Sequence, residues 1–266
     1  MGVCKRIIDF LSLSLQRSQW VPDRMYSDDT FIVSYPKSGN TWVRFLLANA
    51  LYRGATVDFH TIHKLIPEVG ADEERPPALP RPRLFKSHAP YQSAYPRVIY
   101  ILRDGRDVYS SYFHYRQPDL PDDATFEAFL EGDRWPTRWS EHVEGWMNAA
   151  ASESEDVLVV RFEDLKENSV RELRRMLSFL GKESIAGERI QQAVKASSFE
   201  NMRRLERERG RKHGRVEDFM RNGEAGGWEE MFTEEARNIF RRKEGDVLAR
   251  LGYAEGRNVQ DTLSAE

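Results

Sequence analysis

Lysine, glycine and hydroxyl residues crowd one short stretch of the sequence, Tyr35-Pro36-Lys37-Ser38-Gly39-Asn40-Thr41-Trp42. A glycine-containing turn from a strand into a helix aims backbone N–H groups and the positive helix end at an anion, and Lys37 adds a point charge. The stretch therefore reads as a phosphate loop. It is not the nucleotide-triphosphatase form, because Gly-x-x-x-x-Gly-Lys-Ser/Thr is absent and Lys37 stands two residues before Gly39. A second candidate is Arg103, directly after the apolar run Val98 to Leu102. A phosphate-cleaving P-loop enzyme would carry a magnesium-holding aspartate at such a place, whereas a guanidinium suits an anion. The third is His88, in Phe85-Lys86-Ser87-His88-Ala89-Pro90. Its side chain has the pKa for general-base work near neutrality; a lone histidine favours a structural reading, but its place just beyond a strand beside the other candidates reverses that preference.

Chemistry of this kind needs a scaffold that brings distant segments to one place. Three short runs, Phe31 to Tyr35, Val98 to Leu102 and Val157 to Val160, are apolar nearly throughout, as in strands covered on both faces, and Arg83 to Ser87 is a weaker fourth. Helical patterns follow at Thr41 to Tyr52, Arg106 to Tyr115 and Val170 to Leu180. Repetition of strand, loop and helix predicts an α/β fold: a central parallel β-sheet flanked by helices, in a single domain over residues 1–266. Ligands of such sheets bind at the carboxyl ends of the strands, which is where all three candidates fall.

The octapeptide with its trailing tryptophan resembles the 5′-phosphosulfate loop of the sulfotransferases that use 3′-phosphoadenosine-5′-phosphosulfate (PAPS). That resemblance implies a P-loop-like sulfotransferase fold and transfer of a sulfuryl group from PAPS to a small acceptor, with 3′,5′-diphosphoadenosine (PAP) as product. Carried onto this chain, it implies that Lys37, Ser38, Gly39, Asn40 and Thr41 cradle the 5′ end and that Trp42 holds the adenine. Asn40 stands where many cytosolic members have threonine. Arg103 and Ser111, in Arg103-Asp104-Gly105-Arg106-Asp107-Val108-Tyr109-Ser110-Ser111, are similar to the family's 3′-phosphate element. The pair is reasonable geometrically, since Ser111 follows two helical turns later and a guanidinium fork suits phosphate oxygens. Arg106 and Asp107 are expected to be surface or helix-start charges.

Phe219-Met220-Arg221-Asn222-Gly223 resembles the loop that closes over the donor, so Arg221, Asn222 and Gly223 are candidate donor contacts, with Asn222 in place of the family's lysine. Phe162, before Glu163-Asp164, replaces a tyrosine of the family segment. Ser197-Ser198-Phe199-Glu200-Asn201-Met202 is similar to the stretch around the adenine, which makes Ser197, Phe199 and Met202 candidate base contacts. His88 matches the family's Lys-Thr-His element, which implies that it is the general base, that Lys86 assists at the transferring group and that Lys37 stabilises the leaving phosphate. The implied reaction is an in-line displacement that requires no metal.

A kinase with a related phosphate site is the nearest rival enzyme, and a nucleotide-binding module without catalysis is the rival from another class. The former would require magnesium for turnover, and the latter would bind PAP without transfer to any acceptor. The net charge of −3 gives no reason to expect nucleic acid as a partner. Cys4 is the only cysteine, which fits a reducing, cytoplasmic setting. The apolar stretch Ile7 to Leu15 is interrupted by Asp9 and too short to span a bilayer, so residues 1–28 are expected to form an extension packed on the domain, with a membrane-surface anchor as the alternative. No dimer motif is recognisable between Phe232 and Tyr253, which points to a monomer or weak dimer. Two charged, glycine- or proline-rich stretches, Glu68 to Arg83 and Leu205 to Asp218, read as an acceptor-side loop and a flap, or equally as plain surface loops. The acceptor is expected to be a small molecule with a hydroxyl or amine. The aromatic residues Phe126, Phe129, Trp135 and Trp139 are available either to line its pocket or to staple helices to the sheet.

Overall fold

The computed structural model describes residues 22–70, 78–132, 137–152, 155–210, 223 and 225–253. Strand β1 (Thr30–Ser34) leads into helix α1 (Asn40–Leu51) and the one-turn helix α2 (Ile62–Leu65). Strands β2 (Leu84–Ser87) and β3 (Arg97–Leu102) follow, then α3 (Gly105–Arg116), α4 (Phe126–Glu131) and α5 (Trp139–Ala151). Strand β4 (Val157–Arg161) runs directly into α6 (Phe162–Glu167), and α7 (Ser169–Phe179), α8 (Gly187–Ala196), α9 (Phe199–Arg209) and α10 (Glu234–Arg250) complete the described α-helices.

The four strands form one parallel sheet in the order β2-β1-β3-β4, with Phe31 opposite both Phe85 and Val98, and Tyr100 opposite Val159. The strands are largely apolar because both faces are covered. Phe31, Val33, Tyr100 and Leu102 point to the side packed by α3, α4, α5 and α10. Ile32, Ile99, Ile101 and Val160 point to the other side, under α1, α7 and α8. This is the two-residue alternation of a strand applied to a two-sided core.

Chain order differs from spatial order in a way that matters for the site. The chain leaves β1 towards β2, then returns past β1 to place β3 on its other side. A crevice opens outside the strand ends where the direction of winding reverses. The carboxyl ends meeting there carry, in spatial order, His88, the Lys37 loop, Arg103 and Phe162.

Several expectations change. The aromatic residues Phe126, Phe129 and Trp139 are buried in the helical core on one face of the sheet, so they staple α4 and α5 to it; Trp135 lies outside the described residues. Leu205 to Arg209, expected at the start of a flap, are the last residues of α9, and residues 211–218 lie outside the described set. Of the amino-terminal extension, residues 1–21 are likewise outside it. Residues 22–28 are turn and coil, and the neighbouring Arg83 reaches them through the Arg24 carbonyl at 2.7 Å. Among the described residues no helix is long and apolar enough to cross a membrane.

Candidate active site

The turn after β1 is built around two left-handed residues, Lys37 (φ 69°) and Gly39 (φ 100°). Gly39 is required on two counts. Its φ is one that side-chain-bearing residues rarely adopt, and a Cβ there would stand 2.7 Å from the Phe162 ring. Asn40 opens α1 and is buried, donating to the Ile32 carbonyl at 3.0 Å and to Ser34 Oγ at 3.3 Å. Its amide therefore ties the turn back to β1. Ser38 Oγ is buried with no hydrogen-bond partner among the described residues.

A cavity of about 480 Å³ opens over this turn, within the usual range for a small-ligand site. Its wall includes Lys37, Gly39, Asn40, Thr41 and Trp42 from the turn. Arg103 and Ser111 line it from β3 and α3, Phe162 and Phe199 from α6 and α9, Gly223 from the segment near the carboxyl end, and Lys86 and His88 from the end of β2. Segments 186 residues apart in sequence thus share one wall, from Lys37 to Gly223.

Cationic groups here are held by aromatic faces and carbonyls. Lys37 Nζ lies 4.6 Å from the Tyr115 ring centre, and the Arg103 guanidinium 4.2 Å from that of Phe162. Arg103 also donates to the Lys37 carbonyl at 3.2 Å, which joins the β1 turn to the end of β3. Trp42 donates from Nε1 to the Ser197 carbonyl at 2.9 Å and meets Phe162 edge to face. Trp42, Phe162 and Phe199 therefore form an aromatic end of the cavity.

Ser197 and Met202 are fully buried and do not line the cavity. Ser197 holds the Trp42 indole through its carbonyl, and its hydroxyl accepts from Asn49 at 3.1 Å, so it supports an aromatic wall instead of meeting a ligand itself. Met202 packs in the core under α1 and α7. Arg221 and Asn222 lie outside the described residues. Gly223 is described, with φ 60° and the Phe199 ring so close that a Cβ would stand 2.4 Å from it.

Arg106 and Asp107 stand in the first turn of α3, as expected of helix-start charges, but are buried and not on the surface. Arg106 pairs with Asp104 at 2.6 Å and donates to the Tyr253 carbonyl at 3.1 Å. Asp107 accepts from the backbone N–H of Gly226 at 2.8 Å and of Trp228 at 3.0 Å, while the Arg106 guanidinium covers the Trp228 ring at 4.0 Å. The start of α3 thus anchors the segment that carries Gly223. Burial pushes the Asp107 carboxyl above the usual carboxylate range, opposed by Arg103 at 3.8 Å.

His88 is oriented by an unambiguous bond. Nδ1 lies 2.7 Å from the Ser34 carbonyl, which can only accept, so Nδ1 carries the proton and Nε2 the lone pair. Burial, with Lys86 as the next cause, depresses the imidazole to about 3, leaving a neutral ring at physiological pH. Lys86 donates to Glu68 at 2.6 Å, and Glu68 lines the same wall.

Sequence reasoning missed Tyr112 and Tyr115 as wall residues, along with Arg44, Phe59 and His63. Tyr115 had a usable signal, since Asp107, Ser111 and Tyr115 are spaced by four on one helix and so share a face. Glu68 was reached only as the first residue of the stretch read as an acceptor-side loop or a plain surface loop, and its place on the wall follows from backbone pairing of residues 67–69 with Lys86.

Residues 27–252 match the family model described as the sulfotransferase domain. The chain belongs to the sulfotransferase family. Rat sulfotransferase 1A1 (Rattus norvegicus) is 33% identical over 242 residues, covering 78% of this chain and 80% of the relative. Rabbit amine sulfotransferase (Oryctolagus cuniculus) is 29% identical over 246 residues, covering 81% and 79%. Among solved structures, retinol dehydratase in complex with androsterone and inactive cofactor PAP superposes with a TM-score of 0.69 at 23% identity, covering 89% of this chain and 84% of that one. Mouse sulfotransferase SULT7A1 complexed with PAP gives 0.66 at 23% identity, covering 88% and 90%. At such identity these structures speak for the fold of this sulfotransferase: a parallel sheet flanked by helices with a P-loop-like turn.

The Asp107 anchor yields a direct test. Asp107→Ala leaves the N–H groups of Gly226 and Trp228 without their acceptor and should lower unfolding free energy by about 1–3 kcal/mol. Urea denaturation followed by tryptophan fluorescence would measure this, and a change below about 0.5 kcal/mol, the range of ordinary surface substitutions, would show that the anchor carries no weight.

Proposed function

We propose that this sulfotransferase transfers a sulfuryl group from PAPS to a hydroxyl or amine of a small-molecule acceptor. The observation that carries the reading is the convergence of the Lys37 turn, Arg103 with Ser111, and Lys86 with His88 on one cavity at neighbouring strand ends. The relatives point the same way, two solved neighbours being PAP complexes and one curated relative an amine sulfotransferase.

The residues present fit such a donor. Gly39 leaves the turn bare of a side chain, and Ser38 Oγ is a buried hydroxyl that lacks a partner among the described residues. Lys37, Ser38, Gly39, Asn40 and Thr41 would hold the 5′ end, and Arg103 and Ser111 the 3′-phosphate, joined by Arg221, Asn222 and Gly223 of the closing segment. Trp42, Phe162 and Phe199 would flank the adenine, with Ser197 and Met202 behind them. When bound, PAPS supplies the sulfuryl group: the acceptor atom bonds to sulfur as the sulfur–oxygen bond to the 5′-phosphate breaks, leaving PAP.

His88 takes the acceptor proton at Nε2, the nitrogen that the Ser34 bond leaves unprotonated. Lys37 and the backbone N–H groups of its turn stabilise charge gathering on the departing phosphate oxygen, and Lys86 does so at the transferring group. Lys37 must move off the Tyr115 face to do this, a shift a flexible lysine stem permits. No metal enters this scheme, and a reducing cytoplasm is the setting that the single cysteine, Cys4, suggests.

His88→Ala should lower kcat by about 10²–10⁴-fold. Its affinity for PAP by titration calorimetry should stay within about twofold of wild type, a margin well under 1 kcal/mol. Lys37→Ala should damage both. Wild-type turnover in His88→Ala would remove the general-base assignment. The depressed His88 fixes the sign of the pH dependence: the ring is neutral above about 3, so kcat/KM should stay flat from pH 8 through the ordinary histidine value of 6.5. An acidic limb centred near 6.5 would show that His88 is not desolvated in the free enzyme.

A further inference from the structure

An acidic side chain is an odd component for a cavity built to receive a polyanion, yet Glu68 lines this one. Like charges at close range are unfavourable, so the carboxylate must be offset by something nearby. Its position is not accidental slack in a loop. Residues 67–69 form a parallel bridge to β2 centred on Glu68 and Lys86. Lys86 donates its backbone N–H to the Pro67 carbonyl at 2.8 Å, and the Val69 N–H donates to the Lys86 carbonyl at 2.9 Å. The two residues are thereby clamped opposite one another through main chain, and their side chains meet at 2.6 Å with relative exposures of 14% for Lys86 and 23% for Glu68. A salt bridge between groups fixed this way avoids most of the side-chain ordering cost that makes surface pairs weak.

Lys86 and His88 are two residues apart at the end of β2, where alternation sends both towards the same side, and both line the cavity. An ammonium there has two competing effects. It can stabilise charge on a transferring group, but it also disfavours protonation of the imidazole beside it. Lys86 is indeed a cause that lowers His88, and Glu68 a cause that raises it. Burial alone would raise the Glu68 carboxyl, but Lys86 foremost, then His88 and Arg44, bring it to about 2, so it is ionised throughout the working range.

We propose that Glu68 is a positioning residue for sulfuryl transfer: clamped to Lys86 by backbone and ion pair, its carboxylate aims the ammonium into the cavity and shields His88 from that cation. The proposal rests on the assignment of Lys86 and His88 to the transfer step. It also accounts for why the segment before the proline-rich stretch pairs with β2 at all: the bridge supplies one carboxylate to the end of a strand that has none of its own.

The test combines Glu68→Gln, Lys86→Met and the double variant, assayed with PAPS and a panel of phenols, alcohols and amines, alongside PAP affinity and thermal unfolding. Glu68→Gln keeps the shape and the backbone bridge while removing the charge. Its kcat should fall by about 10²-fold, the scale of a reacting group misplaced by about an ångström. Its PAP affinity should stay within about twofold, again well under 1 kcal/mol. Because Glu68 acts through Lys86, the double variant should lose no more than Lys86→Met alone. Additive losses, or an unchanged kcat per folded molecule in Glu68→Gln, would overturn the proposal, the second result leaving the ion pair a structural role only. His88→Ala in the same panel separates the two levels. If it turns over normally, or if wild type turns over no acceptor, the underlying reading fails; if it collapses while Glu68→Gln does not, only the present inference fails.

Discussion

The β1 turn proposed to hold an anion sits in a protein whose overall charge repels one. With a formal charge of −3, the chain offers no long-range attraction, so every favourable contact must come from groups fixed at short range. Lys37 and Gly39 in left-handed conformations aim the turn, Asn40 ties it to β1, and Arg103 ties its Lys37 carbonyl to β3. Loss of that geometry would leave a lysine and an arginine on separate loops. The parallel sheet serves mainly to keep four strand ends in register around the turn, and the two-sided core makes the sheet rigid enough to do so.

Around this constraint the cavity divides by chemistry. Its aromatic end, Trp42, Phe162 and Phe199, is fixed by a hydrogen bond from the indole to Ser197 and by close packing of Phe162 on Gly39. At the other end, on the far side of β1, lie His88, Lys86 and Glu68, where a carbonyl chooses the imidazole tautomer and a carboxylate meets the lysine. Between them, Asp107 and Arg106 use buried charge to hold the segment after Gly223 against α3. These buried charges thus serve the site by fixing backbone.

Much of this was legible in the sequence because the candidate site residues sit immediately after strands. The runs Phe31 to Tyr35, Val98 to Leu102 and Val157 to Val160 correspond to observed strands with ends shifted by a residue, and Lys37, Arg103, Ser111 and His88 do share a wall. What the sequence hid depends on packing between segments. Asp107 looked like a helix-start charge because helix starts favour acids, and only the distant Gly226 and Trp228 amides reveal its burial. Phe126, Phe129 and Trp139 are equally suited to a pocket or a core, and the helix positions, not the residue types, decided for the core. Ser197 lay in the right segment, but its carbonyl and not its hydroxyl faces Trp42, a distinction that no residue pattern encodes.

Titration calorimetry of the wild-type protein with PAP in metal-free buffer, compared with ATP plus magnesium under the same conditions, tests the central claim that one adenosine ligand is gripped at both phosphorylated ends. The account predicts that PAP binds without metal and at least about 100-fold more tightly than ATP with magnesium, a difference of about 2.7 kcal/mol. Comparable or tighter binding of ATP with magnesium, with PAP ignored, would contradict it.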